Sequence, residues 1–232
     1  RLAQERLTLK QLDLVSTTRQ IFILHASGHL ATCNTATLKA HNITRDAKTP
    51  GVGRFEGGEP NGELQEPPAM SLVTFFMPTL LSAMGSEQAI MLYANAARNG
   101  GITTCSDLGS MALLDPQALA LWKRVTADPA FPIRVAAYNF PVMTGSTGDW
   151  PSLAQQQKKL QEAESTDRLR FLGVKFVIDG SLQGFTAMLN EPGYYAGEDH
   201  GLLLTVPEQF RDWLRPFHEA GINVHVHCNG DK

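Results

Sequence analysis

The sequence predicts an α/β fold with a parallel sheet, and three observations carry that expectation. From about Ser71 onward, short apolar strand-like runs alternate with helical stretches. Four such strands follow residue 100, at 102–105, 132–138, 171–178 and 222–228. The stretches between them carry helix-start and helix-stop residues, and strands joined through helices pair in parallel with right-handed crossovers. A (β/α)8 TIM barrel needs eight strands in about 250 residues. Four strands therefore predict about half of one, with a small β-rich insertion near the N-terminus.

Taken in order, residues 1–20 read as a helix followed by a strand, on the loose spacing of Leu2, Leu7, Leu9, Leu12 and Leu14. Runs 21–24 and 30–33 are strand-like. Asn61-Gly62, flanked by Gly57-Gly58 and Glu63-Leu64, predicts a hairpin turn. The domain reading is a β-rich insertion over 1–70 and a partial barrel over 71–232. Ser86 caps a helix that Asn99-Gly100-Gly101 ends. The strand starting at Ile102 ends at Asp107. Asp115-Pro116 places an N-cap before a proline at the first helical position, with Leu119, Trp122 and Val125 inward. Residues 151–165, rich in Gln, Lys and Glu, read as a polar surface helix. Residues 207–220 form a helix with Phe210, Trp213, Leu214 and Phe217 as its buried stripe; Pro216 lies inside it and Gly221 ends it. Residues 222–228 read as a buried strand.

Composition narrows the function classes. The 232 residues are 43% hydrophobic and 19% charged, ordinary for a globular chain. A net charge of −3 leaves no basic surface for nucleic acid. Three cysteines, far apart and odd in number, imply no disulfide framework and a reducing, cytoplasmic setting. The most apolar run, 72–84, is cut by Pro78 and too short to cross a bilayer, so no membrane partner is expected. The start at Arg1 is neither a signal peptide nor an initiator methionine. With a chain end on a strand, that start leads to the expectation of an internal fragment whose open sheet edges self-associate.

Two strands carry unusual polar residues. In 222–228, side chains alternate, so Ile222, Val224, Val226 and Cys228 share one face and Asn223, His225, His227 and Asn229 the other. Neutral imidazole is a common zinc ligand; the competing reading is core histidines bonded to their neighbours. Lys175 sits among Val174, Phe176, Val177 and Ile178, and a buried lysine must be paired, neutral or modified. It shares a face with Val177 and Asp179, so a Lys175–Asp179 pair is one reading. A Schiff-base lysine and a lysine carbamate bridging two metals are the others, and spacing does not separate them. The group His25-Ala-Ser27-Gly28-His29 with Asn34 fits turn capping. Asp107 fits a helix cap or a barrel-mouth residue. Residues 57–62 lack the Lys-Ser/Thr ending of a phosphate loop, and His218 reads as a surface residue.

In combination these motifs are more specific. Lys175-Phe-Val-Ile-Asp179-Gly-Ser-Leu-Gln-Gly184-Phe-Thr-Ala187, then Val-x-Val-His227-x-x-Gly230-Asp231 after a helix ending His218-Glu-Ala-Gly221, resemble the amidohydrolase superfamily. Within it they resemble amidohydrolase family 3, the metal-dependent hydrolases that include N-substituted formamide deformylase. Ser27-Gly28-His29 with Asn34, Asn61-Gly62-Glu63-Leu64-x-Glu66 and Gly100-Gly101-Ile-Thr-Thr-Cys-Ser-Asp107 match further landmarks, in family order. The resemblance implies one or two divalent metals, zinc by preference, at the carboxyl end of the barrel. They would lower the pKa of a bound water that attacks an amide-type C–N substrate, a small molecule. It implies that the four strands are strands 2–5 of the barrel, with His227 the fifth-strand histidine ligand and Lys175 the fourth-strand lysine, carboxylated and bridging. His29 and Asp179, both inside matched motifs, become candidate substrate-binding residues. His225 stands where relatives often carry a small residue and receives no ligand role; Phe185 stands where many carry Arg. The superfamily's first-strand His-x-His, sixth-strand histidine and eighth-strand aspartate are not in the sequence. A catalytic zinc takes three protein ligands and a water, so the isolated chain is expected to be metal-free and inactive and its parent a metal-dependent amidohydrolase. Two other readings stand beside this: a Schiff-base lyase using Lys175, and a non-catalytic scaffold or binding fragment.

Overall fold

The computed structural model describes residues 6–141, 148–195 and 201–232. The chain divides into two compact units. One comprises Arg1–Leu80, Asp179–Leu204 and Cys228–Lys232; the other comprises Leu81–Ile178 and Thr205–His227.

The first unit holds an antiparallel sheet of β1 (Phe22–Leu24), β2 (Leu30–Cys33), β3 (Val52–Arg54) and β4 (Pro60–Gln65), in spatial order β1-β2-β4-β3. Helix α1 (Leu9–Val15) starts at Thr8 in a reciprocal capping box with Gln11. Helix α2 (Thr35–Ala40) starts at Asn34, whose side chain is fully buried. Its oxygen accepts from Thr37 N and Ile21 N, and its amide donates to the carbonyls of Ser16 and Arg19. One side chain thus satisfies the backbone on both sides of β2. Strand β2 is buried at every position, while β4 alternates, and Ala31, Cys33 and Leu64 fill the core with Ala69 and Met70 of α3 (Glu66–Met70).

Asn61-Gly62 is not the hairpin turn that the sequence predicts. It lies inside β4, and the β3–β4 connection runs through Glu56-Gly57-Gly58. Pairing shifts between Val52↔Leu64 and Arg54↔Pro60, so β4 bulges there. Gly62 has φ +88°, and a Cβ on it would stand 2.4 Å from the Cys33 carbonyl oxygen. The dipeptide serves a close strand crossing rather than a reversal.

The second unit bears the parallel α/β layer. Strands β5 (Thr104–Ser110), β6 (Arg134–Asn139), β7 (Leu169–Val177) and β8 (Asn223–His227) pair in that order, every pair parallel. The chain also forms α4 (Phe76–Met84), and the second unit's helices are α5 (Glu87–Asn99), α6 (Pro116–Ala127), α7 (Trp150–Glu164) and α8 (Pro207–Glu219). Ser86 caps α5 and Asp115, followed by Pro116, caps α6, as their sequence signals predict. Val135, Ala137, Leu169 and Phe171 pack with Ile90, Ala94, Val125 and Leu160 in one cluster. Val174 and Phe176 pack with Trp150, Leu153, Phe217 and Ile222 in another.

Two expectations change. Helix α7 is more than a polar surface helix: Trp150, Leu153, Ala154, Gln157 and Leu160 form a buried stripe under its Gln and Lys residues. Fully buried Gln157 accepts from the Asn139 amide at 2.8 Å. Strand β8, expected to be buried, pairs with β7 among the described residues, and its Asn223, His225 and Val226 are exposed there.

Candidate functional site

The aromatic cluster behind the parallel sheet decides which side chains face the other way. Phe176 meets Phe217 and Phe210 edge-on, each with ring centroids 5.8 Å apart, and Trp150 stands 5.2 Å from Trp213. With Val174 and Phe176 turned toward α8, alternation turns Lys175 and Val177 to the opposite face. The same holds on β8, where Ile222 and Val224 join the aromatic cluster and His225 and His227 face away. Register pairs Lys175 with His225 and Val177 with His227. Lys175 and His227 are therefore diagonal neighbours on adjoining strands, a separation that long side chains span. The ladder continues one step further, with Ile178 N donating to the His227 carbonyl at 3.1 Å.

Lys175 is half-buried, and its Nζ donates to the Phe176 carbonyl at 3.0 Å. Burial lowers the pKa of its amine below the usual lysine range. Sequence reasoning missed one neighbour on this face. Tyr138 is buried, and its ring lies 4.3 Å from that of His225. A β-bulge between Ala137 and Tyr138 re-aims that side chain, a shift that no local sequence signal marks. At the edge strand β5, burial raises the Asp107 carboxyl pKa, opposed by the Gly109 N–H at 3.0 Å. A hydrogen bond with the Cys105 side chain raises the Tyr93 hydroxyl.

The other two predicted site residues lie in the first unit. Asp179 is 2% exposed, and its carboxylate accepts three backbone N–H groups: Gly230 at 2.6 Å, Asn229 at 2.9 Å and Met188 at 3.1 Å. The Lys175–Asp179 pairing weighed from the sequence gives way to separate partners, a backbone carbonyl for the amine and backbone amides for the carboxylate. His29 sits beside the start of β2, and its Nδ1 lies 3.0 and 3.1 Å from the two oxygens of Glu66. Glu66, 1% exposed, also accepts from the Thr186 hydroxyl at 2.6 Å. Glu66 and Thr186 were not singled out from sequence as site residues.

Lys175 and His227 suit a divalent metal in kind and placement. An imidazole and, once carboxylated, an anionic oxygen would stand near the carboxyl ends of adjacent parallel strands, where such folds carry their chemistry. They number two, fewer than the three protein ligands of a catalytic zinc. Among the described residues, no group of three or more His, Cys, Asp or Glu gathers as a metal site. No described helix is long and apolar enough to cross a membrane.

A parallel α/β sheet with a half-buried lysine and an imidazole at neighbouring strand ends, in a chain that also carries an antiparallel sheet, defines the class as a mixed α/β protein. The chain belongs to the amidohydrolase family, whose model matches residues 1–232. It is 28% identical over 233 residues to Protein LONG AFTER FAR-RED 3 of Arabidopsis thaliana, a match covering 95% of this chain and 38% of that protein. Its fold is similar to that of an uncharacterized metal-dependent hydrolase from Pyrococcus horikoshii OT3, with TM-score 0.57 and 21% identity over 98% of this chain and 42% of that one. A second such hydrolase, from Pyrococcus furiosus, matches with TM-score 0.55 and 22% identity over 97% of this chain and 43% of that one. The chain thus spans about two fifths of the length of these relatives.

Proposed function

We propose that this chain forms part of a metal-dependent hydrolase acting on an amide-type C–N bond of a small molecule, with Lys175 and His227 as two of its metal ligands. The parallel sheet is then strands 2–5 of a (β/α)8 barrel. The observation that carries the reading is the placement of Lys175 and His227 on one face of paired strands β7 and β8, within a chain of the amidohydrolase family. The names of the two Pyrococcus proteins support metal dependence.

A divalent cation held there supplies Lewis acidity toward water and a carbonyl group. The chain's own residues do the rest. Burial favours the neutral amine of Lys175, the form that adds carbon dioxide with loss of one proton to give a carbamate. The carbamate replaces an ammonium that is costly to bury with an anionic oxygen ligand. The aromatic cluster on Phe176 holds Lys175 on its face, and the β7–β8 register holds His227 beside it.

The test is metal analysis and amide-hydrolase screening of the full-length protein, with Lys175→Ala and His227→Ala variants. Each variant is expected to lose bound metal, and activity to fall by about 10²-fold or more. Retained metal and activity in both variants sinks the proposal. So does metal-independent turnover with borohydride trapping of substrate on Lys175, which points to the lyase.

A further inference from the structure

Two rings of the second unit meet although a whole strand separates them. On the sheet face that carries Lys175, the Tyr138 ring of β6 lies 4.3 Å from the His225 ring of β8. Strand β7 runs between β6 and β8, so two strand spacings, about 9.6 Å, part the two backbones. Register shows how the rings close that distance. Tyr138 is paired with Gly173, and Gly173 with Asn223, which precedes His225 on the same face of β8. The β7 residue at that level therefore has no side chain to fill the space between them. Nor can it take one, because a Cβ on Gly173 would lie 2.0 Å from the Asn223 carbonyl oxygen.

The pair has an inner and an outer member. Tyr138 is 7% exposed, whereas His225 is exposed. His225 is thus the surface that a ligand would touch, and Tyr138 the backing that fixes its plane. Their planes are tilted by 56°, and aromatic rings prefer such arrangements to a face-to-face sandwich. Along β7, Gly173 lies about 6.6 Å from Lys175 toward the amino ends of the strands, at roughly 3.3 Å per residue. His227, in register with Val177, lies on the other side, toward the carboxyl ends. The rings therefore close this face on the amino side of Lys175.

We propose that His225 is a specificity-determining residue: positioned by Tyr138, it forms the floor of the site at Lys175 and His227 and limits the length of the substrate arm that points toward the amino ends of the strands. The proposal rests on the hydrolase reading above and adds which substrates fit. A substrate amide placed beside Lys175 and His227 sends one of its two arms along the face toward the rings. A short arm ends against them. A longer one meets a pair that cannot sink, because the β7 backbone lies beneath it. One methylene more or less in such a pocket changes kcat/KM about 10- to 200-fold, so a floor at fixed depth gives a sharp length limit.

The experiment uses two amide series with the full-length enzyme: N-acyl anilines from formyl to hexanoyl, and N-alkyl acetamides from methyl to hexyl. In one series kcat/KM is expected to fall about tenfold or more at one added methylene. His225→Ala is expected to move that fall to a longer chain. His225→Phe keeps a ring over Gly173 and is expected to keep the fall at the wild-type length. No fall in either series, a limit that alanine does not move, or one that phenylalanine moves as far as alanine does, overturns the proposal. Nitration of this chain with tetranitromethane reads the ring pair without activity, with fully exposed Tyr195 as the reference. Wild type and His225→Phe are expected to spare Tyr138, and His225→Ala to raise its labelling about tenfold or more as the ring gains access to solvent. Tyr138 labelled as fast as Tyr195 in wild type, or still spared in the alanine variant, overturns the ring pair and the floor with it. If the enzyme hydrolyses no member of either series, the hydrolase reading fails on its own, and the nitration pattern still decides whether His225 covers Tyr138.

Discussion

Asp179 offers the most direct measurement of how the chain segments at 179, 188 and 229–230 are held together. Its carboxylate is 2% exposed and accepts from Gly230, Asn229 and Met188, which lie 51, 50 and 9 positions away in sequence. Asp179→Ala leaves three N–H groups without that acceptor. A hydrogen bond to a charged group is worth about 1.5–3 kcal/mol, which sets a gross upper bound of several kcal/mol. Two corrections lower it. Asn229 is exposed and Gly230 and Met188 are partly so, which lets water replace some of the loss; removing a buried charge also regains its desolvation cost. The expected destabilisation is about 2–4 kcal/mol. Asp179→Asn behaves differently. Its single oxygen can keep the Met188 and Gly230 bonds made by Oδ2, while its amide replaces Oδ1 at Asn229, so the expected cost is about 1–2 kcal/mol. Denaturant unfolding gives the totals, and amide hydrogen exchange separates the sites. In the alanine variant all three amides lose protection, by about 30- to 1,000-fold at roughly 1.4 kcal/mol per tenfold. In the asparagine variant only Asn229 does. Unchanged protection at Gly230 in Asp179→Ala would refute the reasoning.

Two further outcomes follow from the packing. Gly173→Ala should disrupt the β7–β8 ladder, because its Cβ would lie 2.0 Å from the Asn223 carbonyl oxygen and backbone cannot yield as a side chain can; loss of slow-exchanging amides in 223–227 checks this, and wild-type protection counts against it. Native thiol labelling at pH 9 should modify Cys228, which is exposed, and spare Cys33, whose thiol burial pushes up to about 12, and buried Cys105; mass mapping identifies the labelled site, and fast labelling of Cys33 contradicts its burial.

What was legible in the sequence was local. Helix starts at Ser86 and Asp115 are written in one side chain and the few residues after it, and both caps form. The strand–helix alternation likewise reports parallel pairing, since antiparallel hairpins need no helix between strands. Asn61-Gly62 shows the limit of local signals. Its positive φ suits a turn or a bulge alike, and the choice falls to the Cys33 carbonyl that crosses it, 29 positions earlier in sequence.

The candidate site divides along the same line. Lys175 stood out because an ionisable group inside an apolar run is costly wherever it sits, and its neighbours in sequence already tell which face it takes. Glu66 enters the sequence reading only inside a matched motif and with no role of its own, because a glutamate after an alternating strand reads as solvated. Its burial comes from Thr186, 120 positions away, and from a glycine at 180 that leaves the carboxylate room. A residue's own context can report that a charge is misplaced, but only the fold can report that a charge is held. By that reasoning the sequence alone singles out Lys175, His225 and His227, while the contact between His29 and the buried Glu66 carboxylate is written only in the fold.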